Sequence, residues 1–341
     1  MSTPLSSDDV RSRVLRRWDL TAPEEFGEPA GGLTRLETAD GPVALRELLD
    51  LDRRQILFQH RVALALAAAG LPVPEPIPAA NGRTLVTTNG RRYALYRWID
   101  GRHRNGLDLS LPACQELGGL LGRVHRELDR MTPPVQQALL IPTPRARDAI
   151  ATADRLLAGL PHPRDDFDSL AERHLGERRD LLHDLADHQP PEMEAVAVGY
   201  VHGDFHAGNL LFGRLGVVAI LGWDRLKVAP FAAELVRAAT SLFGHGDEHG
   251  MDLERVTAFV RGHAAVFELD AAQIQSAAHR LWWERLCDVS VFERRHLDQG
   301  PSAAAFVQWW TTELESTLDA FAAPYTSTRG DAHDDEILEV S

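Results

Sequence analysis

The residues best suited to chemistry in this 341-residue chain lie between positions 201 and 224. There, Val201-His-Gly-Asp204-Phe-His206-Ala-Gly-Asn209-Leu-Leu-Phe212 is followed by a turn at Gly213 to Gly216 and then by Val217-Val-Ala-Ile-Leu-Gly222-Trp-Asp224. Apolar strands flank the polar part and two glycines, Gly203 and Gly208, break it, so it reads as a loop whose backbone approaches something closely. An Asp and an Asn five positions apart suit phosphoryl transfer: the carboxylate of Asp204 orients the attacking hydroxyl or accepts its proton, and the amide oxygen of Asn209 binds the magnesium that bridges the phosphates. A second carboxylate on the following strand would complete the metal site. Two other readings remain open. His202 and His206 have the spacing of a zinc pair, but such a pair needs a helix, and Gly203 with the following Ala-Gly-Asn argues for a loop. Alternatively, the histidines and Asp204 only hydrogen-bond the loop into shape.

The elements that must position this loop follow from the rest of the pattern. Residues 33–38 and 42–48 alternate as strands do, around the turn signal Ala39-Asp40-Gly41. Apolar residues at helical spacing run over 52–69 and stop at Gly70, which Pro72 and Pro74 follow. A second strand pair, 83–88 and 92–99, flanks Asn89-Gly90. After Asp100-Gly101 the pattern turns to amphipathic helices over 111–128, 146–160, 165–188, 252–267, 271–295 and 303–321, with one β-rich interruption at 196–223. The expectation is an α+β, bilobal architecture: a small antiparallel N-lobe with one inserted helix over 1–100, a larger helical lobe over 101–323 and a disordered tail over 324–341. A ligand site between two such lobes is expected.

Composition excludes several classes. The longest unbroken apolar run, Val62 to Leu71, is ten residues, half of the roughly 20 that cross a bilayer, so no membrane association is expected. The first ten residues lack the apolar stretch of a secretory signal, and a cytoplasmic protein is expected. Residues 1–100 hold 13 basic and 13 acidic side chains, so the whole net charge of −14 falls on residues 101–341. That balance disfavours nucleic acid as a partner. Of 36 basic residues only Lys227 is lysine. No Gly-Lys-Ser/Thr exists, which excludes a P-loop, and a phosphate contact in the first 200 residues has to use arginine. Cys114 and Cys287 are too few and too far apart for a disulfide framework and read as buried thiols. Of each tryptophan pair, Trp282-Trp283 and Trp309-Trp310, one is expected in the core and the other partly exposed.

His202-Gly-Asp-Phe-His-Ala-Gly-Asn209 matches the His-Gly-Asp-x-His-x-x-Asn catalytic loop of the aminoglycoside phosphotransferase and choline kinase group, which the chain resembles over nearly its whole length. Gly70-Leu-Pro-Val-Pro74, Leu117-Gly-Gly-Leu-Leu-Gly-Arg-Val-His125 and Glu234-Leu-Val-Arg237 support the resemblance. It implies a fold similar to that of protein kinases, ATP and Mg as cofactors, Asp204 as catalytic base and Asn209 as a magnesium ligand. It further implies that the base of the nucleotide meets the linker around Tyr96, Trp98 and Ile99, and Gly31 and Gly32, in the turn before the first strand, are expected to approach the phosphates. Three departures stand out. The family's lysine falls on Arg46, its helix glutamate on Gln59 or, one residue on, His60, and its magnesium-binding Asp on Gly222. Losing a metal ligand costs orders of magnitude in rate. Asp224, two residues on, would leave an extended strand from the same face and take its place.

The sequence therefore points to an ATP- and Mg-dependent phosphotransferase acting on a hydroxyl of a small molecule or of a peptide Ser/Thr. The alternative is a kinase-fold binding subunit, degenerate at Gly222, that holds nucleotide, peptide or a partner protein without turnover.

Overall fold

In the computed structural model, residues 7–21, 32–48, 52–131, 139–159, 166–195, 198–289 and 300–331 are described. Helix α1 (Ser7–Leu15) precedes strands β1 (Leu33–Leu36) and β2 (Val43–Leu48), helix α2 (Arg53–Ala68), and strands β3 (Val86–Thr88) and β4 (Arg91–Arg97). Then follow α3 (Leu111–Met131), β5 (Leu139–Ile141), α4 (Ala146–Ala158), α5 (Asp166–Asp184), β6 (Met193–Ala195) and β7 (Val198–Val201). The hairpin β8 (Leu210–Phe212) and β9 (Val217–Ile220) and strand β10 (Lys227–Pro230) lead into α6 (Phe231–Phe243), α7 (Leu253–Ala264), α8 (Ala271–Cys287), α9 (Gly300–Thr312) and α10 (Leu314–Asp331). The chain is the α+β architecture expected, divided into two compact units. One comprises Met1–Arg104, His202–Asp204 and Gly208–Leu226, and the other Asn105–Val201, Phe205–Ala207 and Lys227–Ser341. The first unit thus takes in part of the loop and the β8–β9 hairpin, which the sequence expectation assigned to the helical lobe.

In the first unit the antiparallel sheet has the order β1-β2-β4-β3. Alternation along β2 explains both of its faces. Val43 and Leu45 join Val14, Leu15 and Trp18 in one apolar cluster, while Leu48 packs with Ile56 of α2 and Ala94 of β4 in another. Arg46 has the parity of Leu48 and so leaves on the α2 side. Helix α2 starts at a capping box, with the Asp52 carboxylate accepting from the amides of Arg54 and Gln55 and the Gln55 side chain accepting from the Asp52 amide. The hairpin attaches to this unit through main-chain bonds from Ile220 to the Pro72 carbonyl and between Arg102 and Phe212 in both directions.

The second unit is mostly helical, with two small antiparallel pairs, β5–β6 and β7–β10. Helices α3 and α7 approach backbone to backbone. A Cβ at Gly118 would lie 1.8 Å from the Phe259 carbonyl oxygen, and one at Gly262 would lie 1.8 Å from that of Gln115. Between the helices runs a buried polar chain: the Tyr325 hydroxyl meets His263 Nδ1, His263 Nε2 meets His125 Nδ1 at 2.9 Å, and His125 Nε2 meets the Glu234 carboxylate at 2.8 Å. Neutral histidines satisfy every link if each proton points toward Glu234.

Several sequence expectations are corrected here. Helix α6 was not expected as a helix. Ten of its thirteen residues are buried, and its outward face is a narrow stripe of Ala233, Arg237 and Ser241, too few polar residues to mark the period. The expected helix over 271–295 ends at Cys287, and 290–299 lie outside the described residues. The expected 303–321 helix is two helices meeting at Glu313, and the second continues through Pro324 to Asp331. Residues 324–331, expected as tail, are therefore helical, with Tyr325 buried, while 332–341 lie outside the described residues. Trp282 and Trp283 are both fully buried, because each indole N–H has a partner: the Thr311 hydroxyl for Trp282 and the Pro144 carbonyl for Trp283. Both cysteines are free and buried, and burial pushes their thiols up, Cys114 to about 11 and Cys287 to about 12.

Candidate functional site

Within the first unit lies a cavity of about 790 Å³. Arg46, Gln59, Tyr96, Trp98, Ile99, Asp204, Asn209 and Asp224, all singled out from sequence, line it. Gly32 is not among the lining residues; its carbonyl accepts the Glu47 amide at 2.8 Å. Gly31 lies outside the described residues. Four arginines, at 35, 46, 97 and 225, face three aspartates, at 100, 204 and 224. The lining therefore carries several guanidinium groups, the chemistry that holds phosphate, with that of Arg35 paired to Glu37 at 2.9 Å.

Arg46 reaches the cavity from the middle of β2, and its Nη2 donates to Asp224 Oδ1 at 3.1 Å, with each side chain about one-third exposed. Gln59, from α2, donates through Nε2 to the main-chain carbonyl of Asp224 at 3.2 Å. Its neighbour His60 is buried; Nδ1 meets the Thr84 hydroxyl at 2.8 Å and Nε2 meets the Tyr96 hydroxyl at 3.2 Å. Burial lowers His60 to about 4 and raises the Tyr96 hydroxyl to about 12. At the linker, the Trp98 amide donates to the Pro42 carbonyl, which commits that amide to the sheet, and the Arg35 guanidinium sits 4.8 Å from the Trp98 ring centre.

The loop is held by His202, which is fully buried. Its Nε2 meets the Leu221 carbonyl at 2.7 Å, its Nδ1 accepts the Asp204 amide at 3.2 Å, and its ring stands edge-on to Trp223. Both ring nitrogens are spent, so His202 shapes the loop and has no lone pair for zinc. Asn209 donates through Nδ2 to the Asp204 carbonyl at 2.8 Å and to its carboxylate at 3.0 Å. The two residues that the motif paired are therefore in direct contact.

The extended-strand argument for Asp224 does not hold. Strand β9 ends at Ile220, Gly222 has φ +81°, and Trp223–Arg225 form a 3-10 turn. A Cβ at Gly222 would stand 2.5 to 2.8 Å from the Asn209 amide group, so Asn209 occupies the space that a side chain there would need. As a test for magnesium, this donor set does not fit a resident ion. Position 222 carries no carboxylate, the Asn209 Nδ2 is committed to Asp204, and Asp224 is paired with Arg46. Among the described residues no group of three His, Cys, Asp or Glu side chains could hold a metal.

Sequence reasoning did not single out Arg35 and Arg225, which belong to no motif, or Asp100 and His103, all of which line the cavity. His103 is placed by a 3.0 Å contact from Nδ1 to the Leu210 carbonyl, a pairing across 107 residues.

Comparison with known proteins agrees with this architecture. Stress response kinase A of Escherichia coli (strain K12) is 26% identical over 226 residues, 64% of this chain and 60% of that protein. The match thus spans about three fifths of that relative's length. Homoserine kinase of Burkholderia ambifaria (strain MC40-6) is 25% identical over 304 residues, 83% of this chain and 86% of that protein. Among solved structures, spectinomycin phosphotransferase in complex with ADP and spectinomycin has a TM-score of 0.61 at 14% identity, covering 94% of this chain and 99% of its own, and shares the fold. No described helix is long and apolar enough to cross a membrane. The model of the phosphotransferase enzyme family, APH, matches residues 35–269, more than half of the sequence, and the chain belongs to that family.

Proposed function

We propose that the protein transfers the terminal phosphoryl group of ATP to a hydroxyl of a small molecule. The observation that carries this reading is the convergence of Asp204, Asn209 and Arg46 on one cavity large enough for a nucleotide. In this reading Asp204 accepts the proton of the attacking hydroxyl, the new bond forms between that oxygen and the γ-phosphorus, and ADP leaves. Asn209 holds the Asp204 carboxylate in place through its amide. Arg46 balances phosphate charge from β2, and the linker at Tyr96 to Ile99 receives the base. No step runs through a metal held by the protein. The family membership supports a small-molecule acceptor.

Gly222 favours one second reading, nucleotide binding without turnover. ADP release measured across small alcohols and amino alcohols, homoserine and spectinomycin included, separates the two. Acceptor-dependent release that Asp204→Asn abolishes supports transfer. Nucleotide binding without release for any acceptor supports the second reading.

A further inference from the structure

We infer that Asp224 is the resident counter-ion of Arg46, holding the guanidinium over the cavity until the phosphates of a nucleotide displace it, and is not a metal ligand. Three observations carry this. The Arg46–Asp224 pair joins the middle of the sheet to the turn after β9 across 178 residues, inside the cavity. The Gln59 side chain donates to the Asp224 main-chain carbonyl at 3.2 Å, which ties the turn that carries Asp224 to α2 while its carboxylate is engaged by Arg46. The place next to Asn209 from which a carboxylate would share an ion is Gly222, and the Asn209 amide fills it. A carboxylate and a phosphate offer a guanidinium the same paired oxygens, so Asp224 is the group that an incoming phosphate must replace. Asp224 thereby acts through Arg46, as a positioning residue, and it also adds a negative charge that opposes any polyanion entering the cavity.

The inference rests on reading the cavity as a nucleotide site, and its test separates the two. The full-length protein and Asp224→Asn are titrated calorimetrically with ATP, inorganic tripolyphosphate and adenosine, each in EDTA and in magnesium. Removing the competing charge should tighten metal-free ATP and tripolyphosphate about tenfold and leave adenosine unchanged. The gain should vanish in the double variant Arg46→Gln, Asp224→Asn, and Asp224→Glu should keep the wild-type affinities. Should Asp224→Asn fail to fold, Asp224→Ser carries the same expectation. Weaker binding of magnesium-ATP with metal-free binding unchanged would make Asp224 a metal ligand and overturn the inference. Unchanged affinity for all three probes would also overturn it, while leaving the nucleotide reading intact. A wild-type protein that binds none of the probes would overturn both.

Discussion

A side chain at position 222 would meet the Asn209 amide within 2.8 Å and would have to adopt φ +81°. Gly222→Asp should therefore fail to restore metal ligation. It should cost about 1–3 kcal/mol of stability and disturb the Asn209–Asp204 contact, which thermal melts and nucleotide titrations with and without magnesium would show; a gain of magnesium-dependent binding would contradict the geometry. Asp204→Asn keeps the shape of the side chain and should lower the rate by at least about 100-fold with nucleotide affinity retained. Steady-state kinetics on the folded variant checks this, and a rate above a tenth of wild type, in round terms, would remove Asp204 as the base. Arg46→Ala should weaken ATP about tenfold or more and adenosine little, because only a charged contact is lost; equal weakening of both would assign Arg46 to packing. At this scale the sequence was most legible where the chemistry is local. Asp204 and Asn209 lie within one motif and touch. The Arg46–Asp224 pair joins distant segments, and the left-handed turn at Gly222 looks in one dimension like an ordinary strand residue.

Helices with a wide polar face were readable from their period, and α6, whose outward stripe is one residue wide, was not. Helix α3 shows both behaviours: its apolar stripe is plain in the sequence, but the purpose of its glycines emerges only against α7. Mid-helix glycine costs roughly 1 kcal/mol relative to alanine, and here it permits a contact that no Cβ could enter. Gly118→Ala and Gly262→Ala should each destabilise the second unit by about 2 kcal/mol or more, measurable by urea denaturation. The C-terminal end of α8 has a further requirement. The buried Arg178 guanidinium donates to the carbonyls of Arg285 and Leu286, groups that a helix end leaves without intrahelical partners. Desolvation lowers Arg178 to about 10, still charged at neutral pH.

Across the molecule, each unit encloses a histidine held neutral by burial. His60 falls from 6.5 to about 4 through desolvation. His263 falls well below its ordinary value through desolvation and then the neighbouring His125. Below about pH 6.5 the unfolded chain binds protons that the folded chain refuses, so stability is complete above that pH and is lost as pH falls toward 4. His60 alone accounts for a change on the order of 3 kcal/mol over that window. Denaturation curves from pH 7 to 4 should show this slope, and His60→Gln should flatten it; an unchanged slope would assign acid lability to other groups. The cavity has another consequence, in the order of synthesis. All its lining residues belong to one compact unit, yet Asp204, Asn209 and Asp224 leave the ribosome a hundred residues after the sheet is complete. Until Leu226 has emerged the nascent sheet lacks the segment that closes the cavity, so on the proposed function nucleotide cannot stabilise it before that point. Any truncation before that point should leave a fragment that ATP does not rescue.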